Sequence, residues 1–120
     1  MPRYVDGFVL PVKKRNLATY RRLSQKAGRV GKKYGALEYI ETVGDDLSMP
    51  GMASFAKLAR AKRGEVVLFS FILYKSRRHR DQVNKQVMAD PAVARMCKPE
   101  EMPFDVKRMA YGGFKAFVDL

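Results

Sequence analysis

A chain of 120 residues, 47% apolar and 30% charged, has the composition of a globular protein and room for one hydrophobic core, so residues 1–120 are read as a single domain. No stretch approaches the ~20 apolar residues that cross a bilayer, which excludes a membrane-spanning helix. The net charge of +12 favours anionic partners, and nine basic residues with no acid fall between Lys13 and Lys33.

In chain order, Tyr4–Leu10 is rich in aromatic and branched residues and is predicted to be a strand that stops at Pro11. A helix follows over about Asn16 to Tyr34, with Asn16 as N-cap and Gly35 just past its end. At ~100° per residue its apolar face gathers Tyr20, Leu23, Ala27, Val30 and Tyr34. Arg15, Arg22, Lys26, Arg29 and Lys33 form a stripe on nearly the opposite side. Ala36–Val43 reads as a second strand and Gly44-Asp45-Asp46 as a turn. The segment Leu47–Glu65 is irregular, with a short helix over Phe55–Ala61 capped by Ser54. Val66–Tyr74 has the length of a strand and only Ser70 is polar. Ser76 then caps a helix to about Ala89 with Val83 and Val87 inward, and Asp90-Pro91 opens a short helix to about Cys97. Lys107–Val118 is the last predicted strand, with Gly112-Gly113 marking a bulge or a close approach.

The order β-α-β-β-α-β is the ferredoxin-like plan, an α+β fold with a four-stranded antiparallel sheet and both helices on one face. A sheet with one wet face should alternate apolar and polar residues. The third strand instead points Val67, Phe69, Phe71 and Leu73 one way and Val66, Leu68, Ile72 and Tyr74 the other. Leaving either set in water exposes an apolar patch of a few hundred Å². Two copies pairing their sheets into a dimeric α/β barrel would bury it, and a homodimer is therefore expected; the alternative is that Leu47–Glu65 folds over the face.

The segments YVDGFVLPV (Tyr4–Val12), GALEY (Gly35–Tyr39), GDD (Gly44–Asp46), YKSRRHRDQVNKQVMADP (Tyr74–Pro91) and MPFDVKRMAYGGF (Met102–Phe114) together resemble the YbaA-like family of uncharacterised bacterial proteins. The resemblance spans almost the whole chain and implies the dimeric α/β-barrel fold, but no activity, because kinship of fold does not transfer chemistry. The chain departs from the family pattern at Gly31, where a bulky residue is expected, and at Ala56, where proline is expected.

His79, the single histidine, lies in the first turn of the second main helix, where a neutral imidazole would serve as a base; the alternative is a helix residue bonded to its surroundings. Asp6 interrupts an apolar strand and needs a partner, for which Arg108 on the neighbouring last strand is the candidate. Ser70, Tyr111 and Tyr39 are polar strand groups able to orient a small ligand. Glu38 and Glu41 face opposite sides of strand two, so at most one joins a pocket. The expected pocket lies at the barrel near Asp6, Ser70, His79, Arg108 and Tyr111 and takes a small anionic molecule.

One histidine and one cysteine do not make a metal set, and no phosphate-loop or dinucleotide motif occurs, so no metal or cofactor is expected. The lone Cys97 permits no internal disulfide, and with the acid and glycine in the first residues this points to a cytoplasmic protein. Two functions remain: a small-molecule-binding or enzymatic dimer, or an accessory protein that contacts RNA or other nucleic acid through Arg15, Arg22, Lys26, Arg29 and Lys33. The strand-three aromatics lack flanking cations, which argues against reading bases on the sheet.

Overall fold

The structure, a computed structural model, describes residues 1–96 and 98–120. Cys97, the expected end of the short helix and the only thiol, lies outside the described residues. The main elements are β1 (Tyr4–Lys13), α1 (Leu17–Lys33), β2 (Glu38–Val43), α2 (Phe55–Leu58), β3 (Glu65–Tyr74), α3 (Arg77–Ala89), α4 (Pro91–Met96) and β4 (Ala110–Lys115). The strands form one antiparallel sheet in the order β2-β3-β1-β4, which is the ferredoxin-like arrangement. No helix of the described residues is long and apolar enough to cross a membrane.

Strand β1 runs past Pro11 to Lys13 instead of stopping there. Its pairing with β4 ends at Val9, so the missing N–H of Pro11 falls beyond that ladder. Strand β4 is shorter than expected, because Val106–Arg108 is a 3-10 turn whose first exposed donor, the Lys107 N–H, is taken by the Asp105 carboxylate at 3.0 Å. The β1–β4 register is continuous, so the paired glycines mark no bulge. Gly113 permits a close approach: a Cβ there would lie 2.3 Å from the Tyr4 hydroxyl.

The helix-facing side of the sheet carries Tyr4, Asp6, Phe8, Leu10 and Val12 of β1, with Tyr74, Ile72, Ser70, Leu68 and Val66 opposite them on β3. Two clusters make the core there. One joins Tyr4, Ala36, Tyr74 and Val83, and the other joins Leu10, Val12, Tyr20 and Leu68. Val83 and Val87 of α3 point inward as expected, and Ser76 caps α3 by accepting from the His79 N–H at 3.1 Å.

Helix α1 differs in two respects. Asn16 closes a preceding 3-10 turn in helical conformation and its side chain donates to the Pro103 carbonyl rather than capping. The buried line is Tyr20, Ser24, Gly28 and Gly31, rotated from the expected face, with Leu23, Ala27 and Val30 half-buried at its flank. Small residues on this line let the helix settle on the Tyr39 ring of β2. A Cβ at Gly28 would meet that ring at 2.6 Å, whereas one at Gly31 would have it only at 4.0 Å.

The other side of the sheet carries neither α1 nor α3, and only the short α2 touches one end of it. Ile40, Phe69 and Phe114 are exposed there, at 40%, 44% and 62%, among Val5, Val9, Phe71 and Leu73. The 47–64 segment covers one end only: Leu47 lies against Gly44, and the Phe55 ring meets the edge of Phe69 at 6.0 Å.

Alanine normally stabilises a helix interior by about 1 kcal/mol over glycine. Gly31→Ala should show that gain in urea unfolding, while Gly28→Ala should lose about 1–3 kcal/mol by overpacking against Tyr39; two changes of the same sign would contradict this packing.

Candidate functional site

Two polar rows cross the helix-facing side of the sheet. Pairing places Glu41, Ser70, Phe8 and Tyr111 in one line across all four strands, and Tyr39, Ile72, Asp6 and Gly113 in the next. Alternation therefore brings Asp6, Ser70 and Tyr111 to one face, but it is the face under the helices and not the face that would line a barrel. The expected location of the pocket is thus corrected: the bare side of the sheet is almost wholly apolar, and the chemistry lies on the other.

The partner of Asp6 is Arg80 of α3, not Arg108. Asp6 is 1% exposed, and Arg80 donates through Nη1 to its carboxylate at 2.6 Å and to the Tyr111 hydroxyl at 2.9 Å. Its Nε donates to Asp81 at 2.7 Å, and its guanidinium lies over the Tyr4 ring at 4.9 Å. Burial opposes the Arg80 charge, but the hydrogen bond to Asp81 and the field of Asp6 outweigh it and hold the group protonated. Burial first and the Asp6 charge second push the Tyr74 and Tyr111 hydroxyls above their ordinary range, so both stay neutral. Removing one partner of such a buried pair leaves an uncompensated charge at a cost of about 3–5 kcal/mol. The Asp6 group reads as a structural lock between β1, β4 and α3.

Arg108 lies at the far end of the sheet. It donates to both oxygens of Glu65 at 2.7 and 2.8 Å and to the Arg60 carbonyl at 2.8 Å. The 3-10 turn carries it away from Asp6. His79 is also outside the central rows. Its Nδ1 accepts from the Lys75 N–H at 3.0 Å, its ring meets the edge of Tyr74 at 6.0 Å, and its Nε2 faces Gly35. Its position fits a residue that ties the start of α3 to the end of α1. No group of three or more His, Cys, Asp or Glu side chains converges among the described residues.

A hollow of about 150 Å³ lies between α1, the sheet and the 102–109 segment. Phe8, Leu23, Ala27, Ile72, Phe104 and Met109 give it apolar walls, and Ser70, Tyr20, Ser24, Tyr39 and Glu41 supply its polar groups. The Glu41 carboxylate is the centre of that set. Its Oε2 accepts from Ser24 at 2.5 Å, Tyr20 at 3.1 Å and Tyr39 at 3.2 Å, whereas Oε1 accepts from Tyr20 at 2.9 Å and, among the described residues, from no second donor. Burial first and the Glu41 charge next raise the Tyr20 hydroxyl far above its ordinary range, so it remains a donor. A carboxylate has about four acceptor sites, which leaves room at Oε1 for one further donor.

The sequence singles out neither Glu41 as the acid of the hollow, with Tyr20 and Ser24 as its donors, nor Arg80 as the partner of Asp6. Alternation along β2 does separate Glu41 from Glu38, and that was the available signal. The five cations of the expected stripe are all exposed, Arg15 in the 3-10 turn before α1 and the other four on α1, although Lys33 is drawn to Asp90 at 3.6 Å and to the Tyr34 ring.

The family described as "Protein of unknown function (DUF1428)" matches residues 3–106. The uncharacterized protein YbaA of Escherichia coli strain K12 is 38% identical over 117 residues, covering 98% of each chain. YbaA of Shigella flexneri matches to the same extent. Among solved structures, an uncharacterized NIPSNAP domain protein from Burkholderia xenovorans aligns with a TM-score of 0.55 at 12% identity, over 97% of this chain and 98% of that one. A dimeric ferredoxin-like protein from an uncultured marine organism aligns over the full length of both chains with a TM-score of 0.56 at 9% identity. At such identities the two structures share the fold alone.

The hydrogen bonds of Arg108, then that of the Lys62 N–H, lower the Glu65 carboxyl from its ordinary value near 4.5 to about 2. A carboxyl depressed on folding stabilises fully above 4.5 and loses that contribution as pH falls towards 2. Arg108→Gln should therefore flatten the stability–pH curve between about 4.5 and 2 relative to wild type, read by thermal unfolding; parallel curves would contradict the pairing.

Proposed function

The chain belongs to the DUF1428 family of proteins of unknown function, and within it we propose that this protein is a small-molecule-binding or enzymatic homodimer whose ligand occupies the hollow beneath α1. The observation that carries the reading is the Glu41 carboxylate, held by three hydroxyls on the floor of an apolar cavity with acceptor capacity left at Oε1. Glu41 is half-buried, and binding sites combine apolar walls with a few convergent polar groups of this kind.

The cavity selects by size and charge. An apolar space of about this volume takes one benzene-sized ring. A carboxylate on its floor repels an anion, so the ligand is neutral or cationic, with one N–H or O–H donor reaching Oε1. The small anion suggested by the net charge is not what this hollow suits. The chemistry the site can carry is proton transfer at Glu41 Oε1, with Tyr20 neutral and donating throughout.

Dimerisation uses the opposite face. Ile40, Phe69 and Phe114 are exposed on the sheet side that α1 and α3 leave bare. Burying several hundred Å² of it at ~25 cal/mol per Å² contributes several kcal/mol before association costs. The ferredoxin-like neighbour from the marine organism is itself described as dimeric, which supports the same assembly here. The nucleic-acid alternative has weaker support, since one of its five cations is engaged by Asp90 and, among the described residues, no aromatic side chain lines the groove that Arg22, Lys26 and Arg29 share with α4.

Ligand-observed NMR with aniline, phenol and benzoate tests the hollow. Aniline and phenol should bind, benzoate should not, and Ala27→Phe, which fills the cavity, should abolish binding. Equal binding of benzoate, or binding that survives Ala27→Phe, would refute the assignment.

A further inference from the structure

A second concave surface lies on the outer side of α1, where it meets α4. This groove of about 590 Å³ is walled by Arg22, Lys26 and Arg29 of α1 and by Arg95 of α4. Between them the floor is aliphatic, formed by Leu23, Val30, Ala92 and Met96. Arg22 reaches the Thr19 hydroxyl at 3.3 Å, and no acid lines the groove among the described residues. The spacing of Arg22, Lys26 and Arg29 follows one helix face over about 10 Å of rise.

We propose that this groove docks an acidic amphipathic helix of a partner protein. The argument is complementarity of both charge and polarity. Four cations on the walls require carboxylates or phosphates, and the aliphatic floor requires apolar side chains between them. An amphipathic helix supplies both at matching i, i+3, i+4 and i+7 positions. A nucleic-acid strand supplies the charge but would set its bases over aliphatic groups with no aromatic ring to stack on. Arg95 is decisive, because it stands on a separate element and turns the α1 stripe into a two-walled channel.

Fluorescence anisotropy at near-physiological salt is the test, with a labelled peptide of about 16 residues bearing Leu at i, i+3, i+4 and i+7 and Glu on the flanks. A scrambled peptide of identical composition should bind about tenfold or more weakly. Arg95→Glu should also weaken the amphipathic peptide about tenfold or more. Arg15→Glu, an equal change of charge outside the groove, should change it less than about twofold. Both arginines are exposed, so thermal midpoints close to wild type are expected for both variants. Equal losses from Arg15→Glu and Arg95→Glu, equal binding of the scrambled peptide, or displacement by oligouridine at lower concentration than unlabelled peptide would overturn the proposal.

Discussion

The central strand β3 is apolar on both sides, and the rest of the structure is arranged around that constraint. One side, with Leu68, Ile72 and Tyr74, is closed by α1 and α3. The other, with Phe69, Phe71 and Leu73, is left with a short segment over one end. Strand pairing then sorts the polar residues. Asp6, Ser70, Glu41 and Tyr111 all fall on the helix side because pairing keeps opposite residues on one face. Polar groups and bare apolar surface thereby fall on opposite faces of one sheet.

The hollow exists because α1 meets the sheet through small residues. Ser24 and Gly28 let the helix approach β2 closely enough for the Tyr20 and Ser24 hydroxyls to reach Glu41, while Tyr39 fills the space under Gly28. A bulkier line on α1 would lift the helix off the edge strand and separate those donors from the acid. Close packing beside the carboxylate and open volume beyond it are two consequences of the same helix placement.

The elements, their order and the two-faced third strand were legible in the sequence, because period-two patterning and caps at Ser54 and Ser76 are local signals. So was the need of Asp6 for a cation, since an acid within an apolar strand must be compensated. Its partner was not legible. Arg108 ends a 3-10 turn that Asp105 caps, and Arg80 reaches Asp6 only by the packing of α3 across the sheet. The buried line of α1 was misplaced for a related reason: hydrophobic periodicity favours Leu23 and Val30, whereas close approach to Tyr39 favours Ser24 and Gly28. Glu41 could be assigned to a face from alternation, but its role depends on three hydroxyls from α1 and β2 that only the tertiary arrangement brings together.

In the proposed homodimer a second copy of the chain would cover the bare side of the sheet. Sedimentation equilibrium across a micromolar concentration series tests this most directly. The account predicts a species of twice the 13.7 kDa of one chain, converted to monomer by Phe114→Asp, a change on the bare face and away from the hollow. A wild-type protein that sediments as a monomer throughout the series would contradict it.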